Sequence, residues 1–294
     1  MKNVVINESF LERLERLEEI LKNNIAGAFG GNRRSKSFGS SSEFADRRDY
    51  APGDDITKID WNAYARTEKL FEKLYLDERQ MHTKIYIDTS RSMDYGDGGK
   101  AEMAVKLAAA LAYISVSGMD KVSVYRISGG EVIPVVSSVV GKEKFYSVIG
   151  ALNSLEFGGD CRISEAILKS SVGYGDGASV IISDFLTDDG YERAIDLLVD
   201  KRRDVLCIQV LAEDEKNPAF SGKVHLYDSE NFDKTYRKNV NREIIAAYRA
   251  AVSYATDRLK SYLSARGGNY MLVGADEDIA EILFGKMEAL GVLK

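Results

Sequence analysis

The sequence predicts an α/β fold: a doubly wound, mostly parallel sheet preceded by a small irregular amino-terminal region. Three observations carry this. After residue 80, apolar runs of strand length alternate with segments of helical length and periodicity, the rhythm of βαβ units. The strand runs ASVIISDF and DVLCIQVLA are apolar almost throughout, as strands covered on both faces are. Gly129-Gly130 joins two alternating runs, DKVSVYRISG and EVIPVVSS, as a tight hairpin that adds one antiparallel edge strand. The expected sheet has about five parallel strands plus that edge. The chain divides near residue 80, into a region over 1–80 and an α/β domain over 81–294.

Each element has its own signal. FLERLERLEEILKN spaces Phe10, Leu14, Leu17 and Leu21 by three and four residues between charges, an amphipathic helix with Asn7 or Ser9 as its cap. Its polar face is largely acidic, which favours packing over a membrane surface. Residues 26–43 are rich in Gly and Ser and read as a mobile or partner-ordered segment. From Phe44 to Gln80 the pattern is irregular, with short strand-like pieces such as KLFEKLYLDE. In APGDDITKIDWNAYAR, Pro52-Gly53 is a turn, Trp61 and Tyr64 are expected to pack, and Arg47, Arg48 and Arg66 are available to pair with Asp54, Asp55 and Asp60.

The α/β rhythm opens with the strand TKIYIDTS and the long Ala- and Leu-rich helix KAEMAVKLAAALAYISVSG, which Lys100 begins. After the hairpin come helices over KEKFYSVIGALNSL and ISEAILKSSV, the strand ASVIISDF, the helix YERAIDLLVDKR and the strand DVLCIQVLA. A long helix over NREIIAAYRAAVSYATDRLKSYLSARG, the strand NYMLVG and a helix over EDIAEILFGKMEAL complete the pattern.

Composition narrows the function. With 45% hydrophobic and 29% charged residues the chain reads as an ordinary soluble protein, and a net charge of −6 gives no reason to expect nucleic-acid binding. No apolar run approaches the ~20 residues that span a bilayer, and the start lacks a signal-peptide pattern. Cys161 and Cys207 do not make a disulfide framework. A cytoplasmic protein is expected. His82 and His225 lie far apart in sequence, and neither glycine-rich stretch, DYGDGGK or GYGDGAS, matches a nucleotide-binding loop.

The chemistry concentrates where strands end. KIYIDTSRSM finishes a buried strand on Asp88 and follows it with Ser90 and Ser92; VIISDF places Asp184 at another strand end; Gly158-Gly159-Asp160 forms a loop between them. Loops at the carboxyl edge of a parallel sheet converge, and that edge is where such folds bind ligands. Carboxylates and hydroxyls are hard oxygen donors that suit Mg²⁺ or Mn²⁺. Neutral serine donors leave the ion positive enough to accept an outside carboxylate. The plainer alternative is that Asp88, Ser90 and Ser92 form a helix-capping loop.

DTSRSM with the distal ISDF resembles the metal-ion-dependent adhesion site (MIDAS) of von Willebrand factor type A domains. The stretch R-x-Y-x-P-G-D-D … I-D-W-x-A-x-A-R, spanning Arg48 to Arg66, and the later HLYDSEN resemble the uncharacterised prokaryotic von Willebrand A-like proteins associated with MoxR-type AAA ATPases. The resemblance implies a von Willebrand A, Rossmann-like sheet, a bound divalent ion and action by binding rather than catalysis. It makes Asp88, Ser90 and Ser92 the first metal loop and Asp184 the third. The second loop departs from the pattern: Asp160 stands where such sites usually carry threonine. Either Asp160 ligates, or it points away. The implied partner is a MoxR-type AAA ATPase or its client, with the chain as adaptor in assembly or remodelling. Two rivals stand beside this: a metal-dependent phosphoester hydrolase, which lacks an evident general base, and a structural protein with a vestigial site.

Overall fold

The computed structural model describes residues 6–24, 44–75, 80–95, 99–175, 177–187, 189–218, 222–227, 235–287 and 289. The Gly/Ser-rich stretch at 26–43 and the DSEN portion of HLYDSEN lie outside them. Two compact units divide the chain: one spans 22–80, the other combines 1–21 with 81–293. The border at residues 80 and 81 falls where the sequence changes character, but residues 1–21, grouped by sequence with the amino-terminal region, cluster with the α/β unit. The reason lies in helix α1 (Glu8–Asn24) and its lead-in. Ile6, Phe10 and Leu14 are buried, the Ile6 N–H donates to Asn153 Oδ1 at 2.6 Å, and Asn7 Oδ1 caps the helix by accepting from the Phe10 N–H at 3.0 Å.

The 22–80 unit is a short antiparallel pair, β1 (Phe44–Asp49) and β2 (Phe71–Tyr75), bridged by a 3₁₀ turn over Ile56–Lys58 and helix α2 (Trp61–Thr67). Buried Asp60 caps α2, accepting from the Asn62 and Ala63 N–H groups at 3.1 Å, and Arg47 Nε donates to its other oxygen at 2.8 Å. Arg48 reaches Asp54 at 2.9 Å and Glu72 at 2.7 Å. Asp54 and Asp60 are therefore ion-pair partners, as the sequence suggested for Arg47 and Arg48, whereas Asp55 caps the 3₁₀ turn, accepting from the Thr57 N–H at 2.9 Å and the Thr57 hydroxyl at 2.7 Å. Arg66 instead donates to the Asn62 carbonyl. Trp61 and Tyr64 depart from expectation: they are 60% and 42% exposed and meet one another edge to face at 6.1 Å.

The α/β unit is built on six strands: β3 (His82–Asp88), β4 (Lys121–Ser128), β5 (Glu131–Val139), β6 (Ala178–Ser183), β7 (Asp204–Leu211) and, last in the chain, β10 (Asn269–Gly274). Their spatial order is β10-β7-β6-β3-β4-β5, parallel except for the antiparallel edge strand β5. This is the mostly parallel, doubly wound sheet that the sequence predicted, down to the strand count. Between β7 and β10 lie a hairpin, β8 (Gly222–Tyr227) with β9 (Thr235–Val240), and the long helix α8 (Arg242–Ser264).

Alternation along the strands sorts the two faces. Helix α3 (Gly99–Ser117) covers one face: its alanines at 101, 104, 108, 109, 110 and 112 are buried, so its backbone approaches the sheet closely, and Ser115 Oγ donates to Thr83 Oγ1 of β3. Helix α4 (Phe145–Asn153) packs beside α3. On the other face, Tyr86, Ile127, Ile181 and Cys207 pack with α5 (Ile163–Lys169), α6 (Glu192–Asp200) and the last turns of α8, through Leu259 and Leu263. A four-residue helix, α7 (Glu213–Lys216), follows β7, and the terminal segment is a short α9 (Ile279–Glu281) running into a π-helical turn over Ile282–Met287 rather than one uninterrupted helix.

Candidate functional site

The chain leaves β3 towards β4 on one side and later enters β6 on the other, so the carboxyl ends of β3 and β6 flank the topological switch point of the sheet. Asp88 is the last residue of β3, and Asp184 follows the last residue of β6. Both carboxylates are buried. Ser183 ties the two strand ends together by donating to Asp88 Oδ2 at 2.5 Å, while Asp88 Oδ1 accepts from the Ser90 N–H at 2.8 Å. Asp184 Oδ1 accepts from the Leu186 N–H at 3.1 Å, and Gln209 Nε2 donates to the Asp184 carbonyl at 2.8 Å.

Ser90 begins a 3₁₀ turn over Arg91–Asp94, yet its hydroxyl makes no capping bond. It lies 3.0 Å from the Ser92 hydroxyl instead. A helix-capping role therefore does not account for Ser90. Burial, with the Asp184 carboxylate as the next contribution, pushes the Asp88 carboxyl above its ordinary range, against the hydrogen bonds from Ser183 and Ser90. Two like charges out of water call for a cation.

Asp160 is placed differently. Its loop is strapped to the Ser90 turn, through Gly158 N–H to the Thr89 carbonyl at 2.7 Å and Arg91 N–H to the Gly159 carbonyl at 3.0 Å. Its side chain is 54% exposed and lies 3.4 Å from Arg162 Nε. The structure thus gathers Asp88, Ser90, Ser92 and Asp184, and leaves Asp160 at the rim with a cationic partner of its own. Cys161 beside it is buried, as a small core residue is.

One cation is already present. Lys100, in the first turn of α3, has a side chain with 0% exposure; its Nζ donates to Asp184 Oδ2 at 3.0 Å and to Glu215 Oε1 of α7 at 2.6 Å. Tyr95 lies alongside, its ring centroid 5.8 Å from Nζ. Sequence reasoning placed Lys100 correctly at the start of the helix and missed its role. The available signal was direction: helical side chains lean towards the amino terminus, so a long side chain in the first turn reaches back to the strand ends. No motif announces Glu215.

Among the described residues no group of three or more His, Cys, Asp or Glu side chains is spaced to hold a metal ion. The set at the switch point is two carboxylates and two hydroxyls, all oxygen. That chemistry fits a hard divalent ion whose remaining positions are filled by water or by a partner. Among the described residues no helix is long and apolar enough to cross a membrane.

Residues 46–258, more than half of the chain, match the protein family of unknown function DUF58. The chain belongs to DUF58. Over 225 residues it is 27% identical to the uncharacterized proteins Rv1480 of Mycobacterium tuberculosis and Mb1516 of Mycobacterium bovis, covering 74% of this chain and 70% of each relative. Among solved structures it is similar to the conserved hypothetical protein BatB from Bacteroides thetaiotaomicron, at 16% identity and a TM-score of 0.41 over 72% of this chain and 99% of that one. The SpRpn10 VWA domain also matches, at 10% identity and a TM-score of 0.40, over 71% and 95%.

Proposed function

We propose that this DUF58 protein is a binding module of von Willebrand A type, which engages a protein partner at the carboxyl edge of its sheet through Mg²⁺ or Mn²⁺. In the same reading it serves as an adaptor for a MoxR-type AAA ATPase or a client of that ATPase. The observation that carries the reading is the convergence of Asp88, Ser90, Ser92 and Asp184 at the switch point, with a serine hydroxyl pair not spent on capping. Asp88 and Asp184 supply charge, and Ser90 and Ser92 supply neutral oxygens. A bound ion offers its open positions to an acidic side chain of the partner. Asp160, freed from Arg162, belongs to this reading as the acid of the second loop, strengthening ion binding and opposing an acidic partner.

The test presents purified MoxR-type ATPase to the immobilised full chain in Mg²⁺, in Mn²⁺ and in EDTA, beside Asp88→Ala. Retention that requires both the ion and Asp88 supports the reading; retention indifferent to both overturns its metal-dependent part. Mg²⁺-dependent hydrolysis of a generic phosphoester, abolished by Asp88→Ala, would replace the binding reading with an enzymatic one.

A further inference from the structure

Every carboxylate oxygen of the Asp88–Asp184 pair already accepts a hydrogen bond from the protein itself: from the Ser90 N–H and the Ser183 hydroxyl on Asp88, and from the Leu186 N–H and Lys100 Nζ on Asp184. Three of these donors are neutral. The fourth is an ammonium group with no exposed surface, held in place from behind by Glu215, whose second oxygen accepts from the Ala212 N–H at 2.8 Å. Lys100 cannot swing out to solvent as a surface lysine does.

We propose that Lys100 is a tethered counter-ion that competes with the divalent ion for Asp184 and so sets the affinity of the site. The inference rests on the metal reading above and concerns a residue which that reading does not use. Two cations beside one buried carboxylate repel each other strongly, because little water screens them. An arriving ion must therefore weaken the Lys100–Asp184 contact, leaving the ammonium to Glu215. Until then Lys100 keeps Asp184 neutralised, so the sheet edge stands without metal. Glu215 is the receiving group of this exchange and a positioning residue for Lys100.

The experiment titrates Mn²⁺ into the metal-stripped full chain, read by electron paramagnetic resonance of the free ion, with wild type, Lys100→Gln and Glu215→Gln in parallel. Lys100→Gln is expected to bind Mn²⁺ at least about tenfold more tightly than wild type. Glu215→Gln, which leaves the ammonium with Asp184 alone, is expected to bind no more tightly than wild type and, with one negative charge fewer, more weakly. A general loosening of the site would move both variants in the same direction and overturns the proposal. In the wild type, Mg²⁺ is expected to shift the Lys100 side-chain Cε–Nζ resonances; this measurement stands even if Lys100→Gln does not fold, and an unmoved resonance at saturating Mg²⁺ also overturns the proposal. Equal Mn²⁺ affinity in wild type and Lys100→Gln refutes the role of Lys100 and leaves the metal reading intact. No binding in any of the three refutes both.

Discussion

Asp60 in the amino-terminal unit and Asp88 at the sheet edge both expose almost no surface, but Asp60 lies close beneath the surface and Asp88 deep among the strands, and their carboxyls are driven in opposite directions. Burial opposes ionisation of both. At Asp60 the Ala63 N–H and then the Arg47 guanidinium outweigh it, and the carboxyl falls below its ordinary range. At Asp88 burial is reinforced by the neighbouring Asp184, and the bonds from Ser183 and Ser90 do not compensate. Asp60 is a finished structural contact that caps α2 and binds β1. Asp88 accepts only from the neutral Ser90 N–H and Ser183 hydroxyl, so its charge is hydrogen-bonded without the arginine that Asp60 has.

The largest effect expected from this contrast is on ion binding. In calorimetry, Asp88→Ala abolishes saturable Mg²⁺ and Mn²⁺ binding, whereas Asp60→Ala, which removes a carboxylate of similarly small exposed surface, leaves it intact. If both substitutions weaken binding alike, the two acids do not differ as argued.

A smaller effect tests uncompensated burial on a group of opposite charge type. Burial, followed by Lys84, Arg203 and Lys121, lowers the His82 pKa from 6.5 to about 4. The folded chain therefore keeps His82 neutral while the unfolded chain takes up a proton near pH 6.5. Stability on this account is full above pH 6.5 and declines as pH falls towards 4, by about 1–2 kcal/mol once solvent screening of the half-buried ring is allowed for. His82→Gln should flatten the thermal-melting profile across that window. A profile with the same slope in wild type and variant would remove His82 from the account.

Smaller again is the cost of Asp88 to the ion-free fold. A carboxyl raised by the fold is destabilising when ionised, so its cost is present at pH 7 and relieved as the solution is acidified. Asp88→Asn in EDTA should raise the melting temperature at pH 7 by about 2–4 °C, with the gain vanishing in acid. Asp60→Asn should lower it. Melting curves of the two variants that shift in the same direction would break the comparison at its base.

The sheet was legible in the sequence because its signals are local. Apolar continuity marked β6 and β7, NYMLVG gave β10 with both of its ends, and the turn between β4 and β5 uses Gly129 at φ +56°, which glycine adopts freely. Asp88, Ser90, Ser92 and Asp184 were legible because a strand that ends on polar residues fixes where they emerge. Lys100 and Glu215 were not, because their meeting depends on how α3 and α7 lie at the same sheet edge, and a lysine opening a helix otherwise reads as solvated. The β8–β9 hairpin was missed as well: GKVHLY and TYRKNV mix charge and apolar residues too evenly to show a buried face. The same blindness to tertiary context governs Trp61 and Tyr64, since an aromatic residue type does not say which side of the surface it occupies.

Trp61 gives the finest distinction between the two units. Tyr86 in the α/β unit is buried and stacks on Tyr125 with ring centroids 5.2 Å apart. Trp61 touches Tyr64 edge to face and leaves 60% of itself in water. An aromatic pair is worth about 0.5–1.5 kcal/mol beyond its burial when enclosed, but solvent competes for both faces of an exposed one. Trp61→Ala should therefore change the stability of the chain by less than about 0.5 kcal/mol. Because Trp61 is the only tryptophan in the chain, its fluorescence reports on it alone, and acrylamide should quench that emission readily with a maximum typical of indole in water. Blue-shifted, protected emission together with a loss of stability above about 1 kcal/mol would place Trp61 in a core and return the segment from Asp60 to Arg66 to the packed arrangement that its sequence suggests.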